Sequence, residues 1–544
     1  MKIYKECAWV VLSFIVGSIF SLILLGPLVL HPTVVNMLDG DTLQHFIGWE
    51  FYRNSPWQLP IAYTSNLLYP LGTGIIFTDS FPIVSIILKM FSHFLPEPFI
   101  WHGLVAVINS SLMFYSGFIL FRTVRGNTVF GIIGAFFTLF SAVFVYRLTM
   151  HFSLTTQWLI MFNLVLLLKP KINTKVDMCW QLLLLFISCG VHPYITAMLC
   201  PLAISFCFRV YIKNELKVKA LIFNILSCCL CVLLAAALFG WFIIGTDGQD
   251  AGFGFYSSNL LSLINPEFGS LFFRNVQVGG GQYEGFAYLG LGNILMLVYI
   301  LLFNNPKAYL SFKKEYLVYY LSLLLLFFFA LSNTIQIGGY QVTSLSFLYL
   351  PEFSVFRSSG RFIWPVFYSI QVFALITMYD LLQNKGTIHK WLLLTFCLFI
   401  QVLDNSSLLN QLQSHWDDCY NSSSFNQQGL NSWLWHNFGS YGVKHLVLLD
   451  SITDGTLQSR FGVIAIENGL TMNTAYVART SKQLEDMKAQ INQNFNQGRL
   501  EKATLYVGSG GMINQLPSYC TTLDQFYICS LNKDLISAAE TIRK

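Results

Sequence analysis

AWVVLSFIVGSIFSLILLGPLVL (Ala8–Leu30), followed a few residues later by DGDTLQHFIGWEFYR (Asp39–Arg53), decides how the rest of this chain is read. The first segment is long and apolar enough to cross a bilayer, which needs about 20 such residues. It follows a short basic start, Lys2 and Lys5, and Gly-Pro-Leu-Val-Leu-His-Pro contains no small-residue cleavage site. An uncleaved first transmembrane helix is expected. The second segment is polar, acidic and helix-compatible, and it comes directly after the crossing.

Ten further apolar segments repeat the first signal: Pro98–Phe121, Thr128–Tyr146, Phe152–Leu168, Val176–Gly190, Tyr194–Tyr211, Ala220–Ile244, Gly285–Phe303, Tyr316–Leu331, Phe362–Leu382 and Trp391–Leu403. Pro82–Leu95 is apolar too, but its length suits a helix lying at the interface. The 544 residues are 54% hydrophobic and 11% charged, against about 25% charged in a soluble domain. The expected fold is a polytopic α-helical membrane domain with about 11 transmembrane helices over residues 1–404, and a small α/β domain over 405–544.

Basic residues orient this plan. Arg122 and Arg125; Lys169, Lys171 and Lys175; Arg209, Lys213, Lys217 and Lys219; Lys307, Lys313 and Lys314; and Lys385 and Lys390 form five loops. With the N-terminus inside and eleven crossings, all five fall in the cytoplasm. The opposite face receives the loop 31–81, the turns at Arg147–His151 and His192–Pro193, the loop Gly245–Glu284, the segment Ser332–Arg361 and everything after Asp404. The net charge of +5 is spread through short loops and forms no nucleic-acid patch.

In the tail, His445–Asp450, Gly462–Ile466 and Ala503–Val507 read as short buried strands. Thr480–Phe495 reads as an amphipathic helix with Ser481 at its N-cap. Most of the twelve cysteines sit in apolar segments as small hydrophobes. Cys520 and Cys529 suit a disulfide if the tail is extracytoplasmic, though spacing alone does not fix the pairing. Cys419 is then left over.

Charge near a membrane is expensive, so its gathering at one face asks for a functional reason. Asp41 and His45 are four apart and share a helix face. Asp41 is placed to take a proton from a hydroxyl, the general-base role. It also fits an N-cap with Gln44 reaching back, a structural role. Asp79 likewise divides between a site and capping a helix near Pro82. Arg147, His151 and His192 stand at successive turns that can converge. Arg357 and Arg361, separated by small residues, suit a lipid phosphate, which guanidinium forks bind bidentately; interfacial anchoring with Trp364 is the plainer role. Glu284 ends a Gly-rich loop without the setting of a nucleotide-binding turn, and is a candidate for substrate contact.

The plan of one crossing, an acidic loop with a surface helix, many crossings and an outer tail domain resembles the GT-C superfamily of integral-membrane glycosyltransferases. The strings GDTLQHFIGWEFYRNSPW, YPLGTGIIFTDSFP, RLTMHFSLTTQW, VHPY and FRSSGRFIWP look like an uncharacterised family of bacterial polytopic proteins near that superfamily. The resemblance covers residues 1–404 and omits the tail. It implies an acidic residue in the first outer loop acting as base or holding the acceptor: Asp41 by position, with Asp39 as the fallback. The implied donor is a sugar on a polyprenyl phosphate, taken from membrane lipid. Arg357, Arg361 or Arg147 would meet its phosphate. His45, Asp79, His151, His192 and Glu284 would contact substrate. The acceptor expected is a surface polysaccharide or glycolipid, O-antigen among them, and transfer is expected to invert. The setting is a bacterial inner membrane with the tail periplasmic. Some members of the superfamily use a divalent metal, but one acidic loop does not specify one. No WWDYG-like signature is present, which disfavours protein glycosylation. The rival readings are a flippase for a lipid-linked glycan and a non-catalytic assembly scaffold. A transporter would concentrate polar groups near mid-membrane, where only a few, such as Asn109 and Asn224, occur.

Overall fold

The computed structural model describes residues 2–243, 252–303, 313–345, 355–422, 429–450, 452–477, 481–509 and 517–543. Lys307, the start of the Gly245–Glu284 loop, part of the Ser332–Arg361 segment and Thr480 lie outside these residues. The chain divides into two compact units. One comprises Met1–Leu30, His102–Ala235 and Gln249–Asp417; the other comprises His31–Trp101, Ala236–Gly248 and Asp418–Lys544.

The first unit is a helical bundle. Among the described residues, seven helices are long and apolar enough to cross a membrane: Glu6–Leu24, His102–Arg125, Pro193–Lys213, Val218–Leu238, Lys314–Leu331, Ser359–Leu381 and Thr387–Asp404. Helices also stand at the other four expected positions, but they are shorter. For two of them the cause is local. The Thr128–Tyr146 stretch breaks into Thr128–Leu139 and Ala142–Arg147. Phe152–Leu168 opens as a 3-10 turn, where Thr155 and Thr156 bond back to the carbonyls of Phe152 (2.7 Å) and Ser153 (2.6 Å). Such side-chain bonds offer the backbone an alternative to the α-helix.

Polar side chains tie this bundle together. Asn109 donates to Thr155 (2.6 Å) and accepts from the Trp158 indole (2.9 Å). Asn163 donates to Gln181 (3.1 Å), and Tyr368 donates to Gln157. Where apolar surface gives little net attraction between helices in lipid, such bonds supply part of the association. Meanwhile Phe223, Leu226, Leu230, Leu233 and Leu234 of Val218–Leu238 stay exposed. An outward apolar stripe of that extent suits lipid contact.

The second unit joins the first loop to the tail. Its Gly40–Arg53 helix is fixed at its C-terminal end. The Arg53 guanidinium donates to the Ser92 hydroxyl (2.9 Å) and to the carbonyls of Ser92 (2.9 Å), Leu95 (3.1 Å) and Pro96 (2.8 Å). A short apolar helix follows at Pro82–Met90, as its length predicts.

The tail holds a five-stranded mixed sheet in the order Thr471–Met472, His445–Leu448, Thr504–Ser509, Phe526–Cys529, Cys520–Leu523. The first three strands run parallel, and the last two add antiparallel. The edge strand Thr471–Met472 is covered by the first loop: Met472 donates to the Asn66 carbonyl and Tyr69 donates to the Met472 carbonyl, both at 2.9 Å. Covering an edge this way removes a site of unwanted strand pairing.

Two tail expectations meet their strands at His445–Leu448 and Thr504–Ser509, and Ser481 caps Lys482–Asn496 by accepting from Leu484 N–H (3.3 Å). The third requires correction: Gly462–Ile466 is not a strand but the end of the helix Gly455–Glu467. The Asp454 carboxylate starts that helix by accepting from Thr456 N–H (2.7 Å). A five-residue apolar run carries no period of its own, so the upstream cap decides its state.

Cys520 and Cys529 face each other across the last hairpin and are disulfide-bonded; among the described residues Cys419 forms no disulfide. Closing a loop this short stabilises by about 2–3 kcal/mol in the chain-entropy picture. The Cys520→Ser/Cys529→Ser variant should therefore unfold its tail at a lower temperature, read by thermal scanning of the full chain. An unchanged transition would show the bond to be dispensable.

Candidate functional site

The second unit builds one cluster around the Gly40–Arg53 helix. Asp39 holds the N-cap, with extended backbone. Its N–H donates to the Thr42 hydroxyl (3.2 Å), and that hydroxyl donates to the Asp39 carbonyl (2.8 Å). Asp39 is exposed. Asp41 is half-buried in the first helical turn, so the cap expected of Asp41 and Gln44 is filled by the residue two positions earlier. A carboxylate in that turn is also favoured by the helix dipole.

One turn on, His45 is 1% exposed, with Nε2 3.4 Å from Asp79 Oδ2. Asp79 does not cap the Pro82 helix; Phe81 occupies that position. Asp79 and Phe81 adopt left-handed backbone (φ 54° and 51°), a conformation that costs energy for residues with a side chain. Their segment is held by the Ser80 hydroxyl, which donates to the His45 carbonyl (2.8 Å). Gly48 permits the approach: a Cβ there would lie 2.2 Å from both the Ser80 and Thr78 hydroxyl oxygens. Ser80 and Thr78 thus position Asp79, a role their bare sequence does not advertise.

In the first unit, Arg147, Glu284 and Arg361 form a buried triad, 1%, 4% and 7% exposed. Arg361 grips Glu284 bidentately, Nε to Oε2 at 2.8 Å and Nη2 to Oε1 at 2.6 Å. Arg147 Nη2 donates to Glu284 Oε2 (2.7 Å) and to its carbonyl (3.2 Å). Burial alone would raise the Glu284 carboxyl, but the two guanidiniums outweigh it and hold the group well below the usual carboxylate range; His151 adds to the pull. Two positive charges against one leave the cluster net positive. Arg147 is flanked by the rings of Tyr146 and Trp364, each 5.1 Å away. Among the described residues its Nε and Nη1 find no acceptor.

Two loops must touch for the triad to form. A Cβ on Gly360 would sit 2.7 Å from the backbone of Gly285. Tyr194 connects a third segment: its hydroxyl accepts from Ser358 N–H (2.8 Å), and its ring lies under Arg361 at 4.8 Å. His192 caps the Pro193–Lys213 helix by accepting from Tyr194 N–H (3.1 Å). Arg357 is placed separately, over the Tyr256 ring at 6.0 Å. The structure thus unites Arg147, Arg361 and Glu284, and places His151 within electrostatic reach. Tyr194 stands in the His-Pro-Tyr turn, but nothing in that turn marks it as the link to Arg361.

The family described as "Domain of unknown function (DUF6311)" matches residues 14–406, and "DUF6311 C-terminal domain" matches residues 434–531. The chain belongs to the DUF6311 family. The family match takes in both clusters' loops, from Asp39 to Arg361, and the C-terminal match covers the tail sheet. No curated protein matches the chain. Among solved structures it is similar to the Archaeoglobus fulgidus oligosaccharyltransferase in its apo form, at 12% identity and TM-score 0.46, over 92% of this chain and 69% of that one. The same enzyme in complex with Zn and sulfate gives 11% identity and TM-score 0.41, over 91% and 68%.

Removing the Glu284 carboxylate from this DUF6311 chain leaves two buried guanidiniums without their shared partner, a loss of about 3–5 kcal/mol. Glu284→Ala should lower the unfolding temperature markedly, and Gly360→Ala should do so by forcing the loops apart. Because the folded Glu284 carboxyl lies below its unfolded value, its contribution is complete above the ordinary carboxyl range, roughly pH 4.5. It is lost progressively as pH falls below that range and through the lowered folded value. A pH-stability profile should show that acid limb in the wild type and not in Glu284→Ala.

Proposed function

We propose that this protein is a membrane glycosyltransferase that moves a sugar from a polyprenyl-phosphate donor to a glycan or glycolipid at the extracytoplasmic face. The observation that carries this reading is the division of labour between Asp39 and Asp41. Asp39 takes the helix-capping position, and Asp41, half-buried in the first turn and lining a recess, takes the role of base. His45, buried one turn on, and Asp79, paired with it, serve to position the acceptor.

The acceptor hydroxyl attacks the anomeric carbon, its proton passes to Asp41, and the bond from that carbon to the phosphate oxygen breaks. Polyprenyl phosphate leaves with the bonding electrons, and the configuration inverts. Charge builds on the phosphate as it departs, and fixed positive groups at such a point are usually the largest catalytic contribution. The net-positive triad of Arg147, Arg361 and Glu284 supports a phosphate role for its arginines; Arg357 is a further candidate. Glu284 serves to hold the two arginines, with substrate contact secondary. His151 and His192 lie on the flanking turns as positioning residues.

His45 Nε2 and Asp79 Oδ2 are donor types that a divalent ion accepts, and a bound ion would supply further charge stabilisation. No step above depends on one. The disulfide supports an extracytoplasmic tail, since such bonds persist in oxidising compartments. The hydrogen-bonded state of Asn109 inside the bundle favours an enzyme over a flippase, which would keep such a group available at mid-membrane.

Transfer by purified protein from a polyprenyl-phosphate sugar tests the proposal. Asp41→Asn should lose about 10²–10⁴-fold in rate with folding intact. Undiminished transfer in both Asp39→Asn and Asp41→Asn would remove the base from the scheme.

A further inference from the structure

Asp39, exposed, and Asp41, half-buried, border a recess in the second unit. With Gln44 they line one side of a recess of about 220 Å³, and Ser459, Arg460 and Tyr476 of the tail line the other. All six belong to the second unit. A cavity of about 150 Å³ accommodates a benzene ring, so this recess has room for a single six-membered sugar ring.

Its chemistry suits that occupant. Carboxylates accept from hydroxyls, a guanidinium donates to them, and an amide or a serine hydroxyl does both. The Tyr476 ring, half exposed, offers an apolar face to the C–H side of a pyranose. Arg460 is 9% exposed and fixed on the Gly455–Glu467 helix. Two carboxylates and one guanidinium leave the lining net negative, which disfavours a ring that carries its own acid group.

We infer that this recess is the acceptor subsite, that it takes one uncharged hexose or N-acetylhexosamine ring, and that Arg460 and Ser459 of the tail helix select it. The inference rests on the reading of Asp41 as the base. The tail then has a definite role, because it supplies half of the acceptor's surroundings and so governs specificity.

Binding of methyl glycosides of glucose, galactose, mannose and N-acetylglucosamine to the full-length protein in detergent, followed by saturation-transfer NMR, tests this directly. At least one should give a saturable signal, and methyl glucuronide should give none. Thr456 lies exposed at the recess, so Thr456→Trp should fill it without disturbing the fold and abolish the signal. Arg460→Ala, with helix content verified, should weaken binding at least tenfold.

Absence of any glycoside signal in the wild type, or binding that survives Thr456→Trp, would overturn the inference. The subsite and the enzyme fail separately. Glycoside binding without transfer defeats the enzymatic proposal and leaves the recess as a sugar-binding site without an acceptor role. Transfer whose acceptor KM is unmoved by Thr456→Trp defeats the subsite and leaves the enzyme standing.

Discussion

A single carboxylate, Glu284, organises the first unit where its loops meet. It sits almost out of solvent between two guanidiniums, a position tolerable only because both charges reach it in hydrogen-bonding geometry. That requirement propagates outward. Arg361 is presented by a tight turn packed directly on Gly285, Arg147 by the short helix that a local break separates from Thr128–Leu139, and Tyr194 by the helix that His192 caps. Two sequence-distant arginines are registered by one anion, and Tyr194 is joined to them through Arg361 and Ser358. A hydrophobic contact would tolerate sliding; bidentate ion pairs do not, because the donors are fixed in direction.

The second unit achieves the same precision with backbone strain and hydroxyls. Asp79 is held in left-handed backbone by a segment that Ser80 anchors to the His45 carbonyl, and Gly48 leaves space for that anchor. Strain of this kind persists where the surroundings over-determine it, and here Ser80, Thr78 and His45 provide those contacts. The two units thus share a principle: polar groups are aimed by contacts that residue type alone does not reveal.

The same principle divides what the sequence discloses from what it withholds. Apolar length reveals the bundle, and the short helix at Pro82 is legible because proline, length and hydropathy agree there. Seven helices meet the length expected of a span because long windows average over local events; the stretch from Phe152 falls short where Thr155 and Thr156 bond their own turn, which hydropathy does not register. Gly462–Ile466 misleads because the decisive residue, Asp454, lies outside the apolar run. In the two clusters, residue types point to Asp41, His45, Arg147 and Arg361, yet the partner of both arginines is a loop glutamate more than seventy residues from either. Side-chain pairing over such separations has no periodic signature. Capping is legible as a motif and ambiguous in its address, since Asp39 and Asp41 satisfy nearly the same local pattern.

The tail sheet is completed from its far end. Its central strand, Thr504–Ser509, is buried along nearly its whole length and gains its second neighbour only from the closing hairpin, Cys520–Cys529. A nonsense codon before Phe526 would therefore do more than shorten the polypeptide. It would bare a water-shy row of unsatisfied amides and carbonyls in the middle of the domain, and the truncated product would be sticky rather than merely weaker.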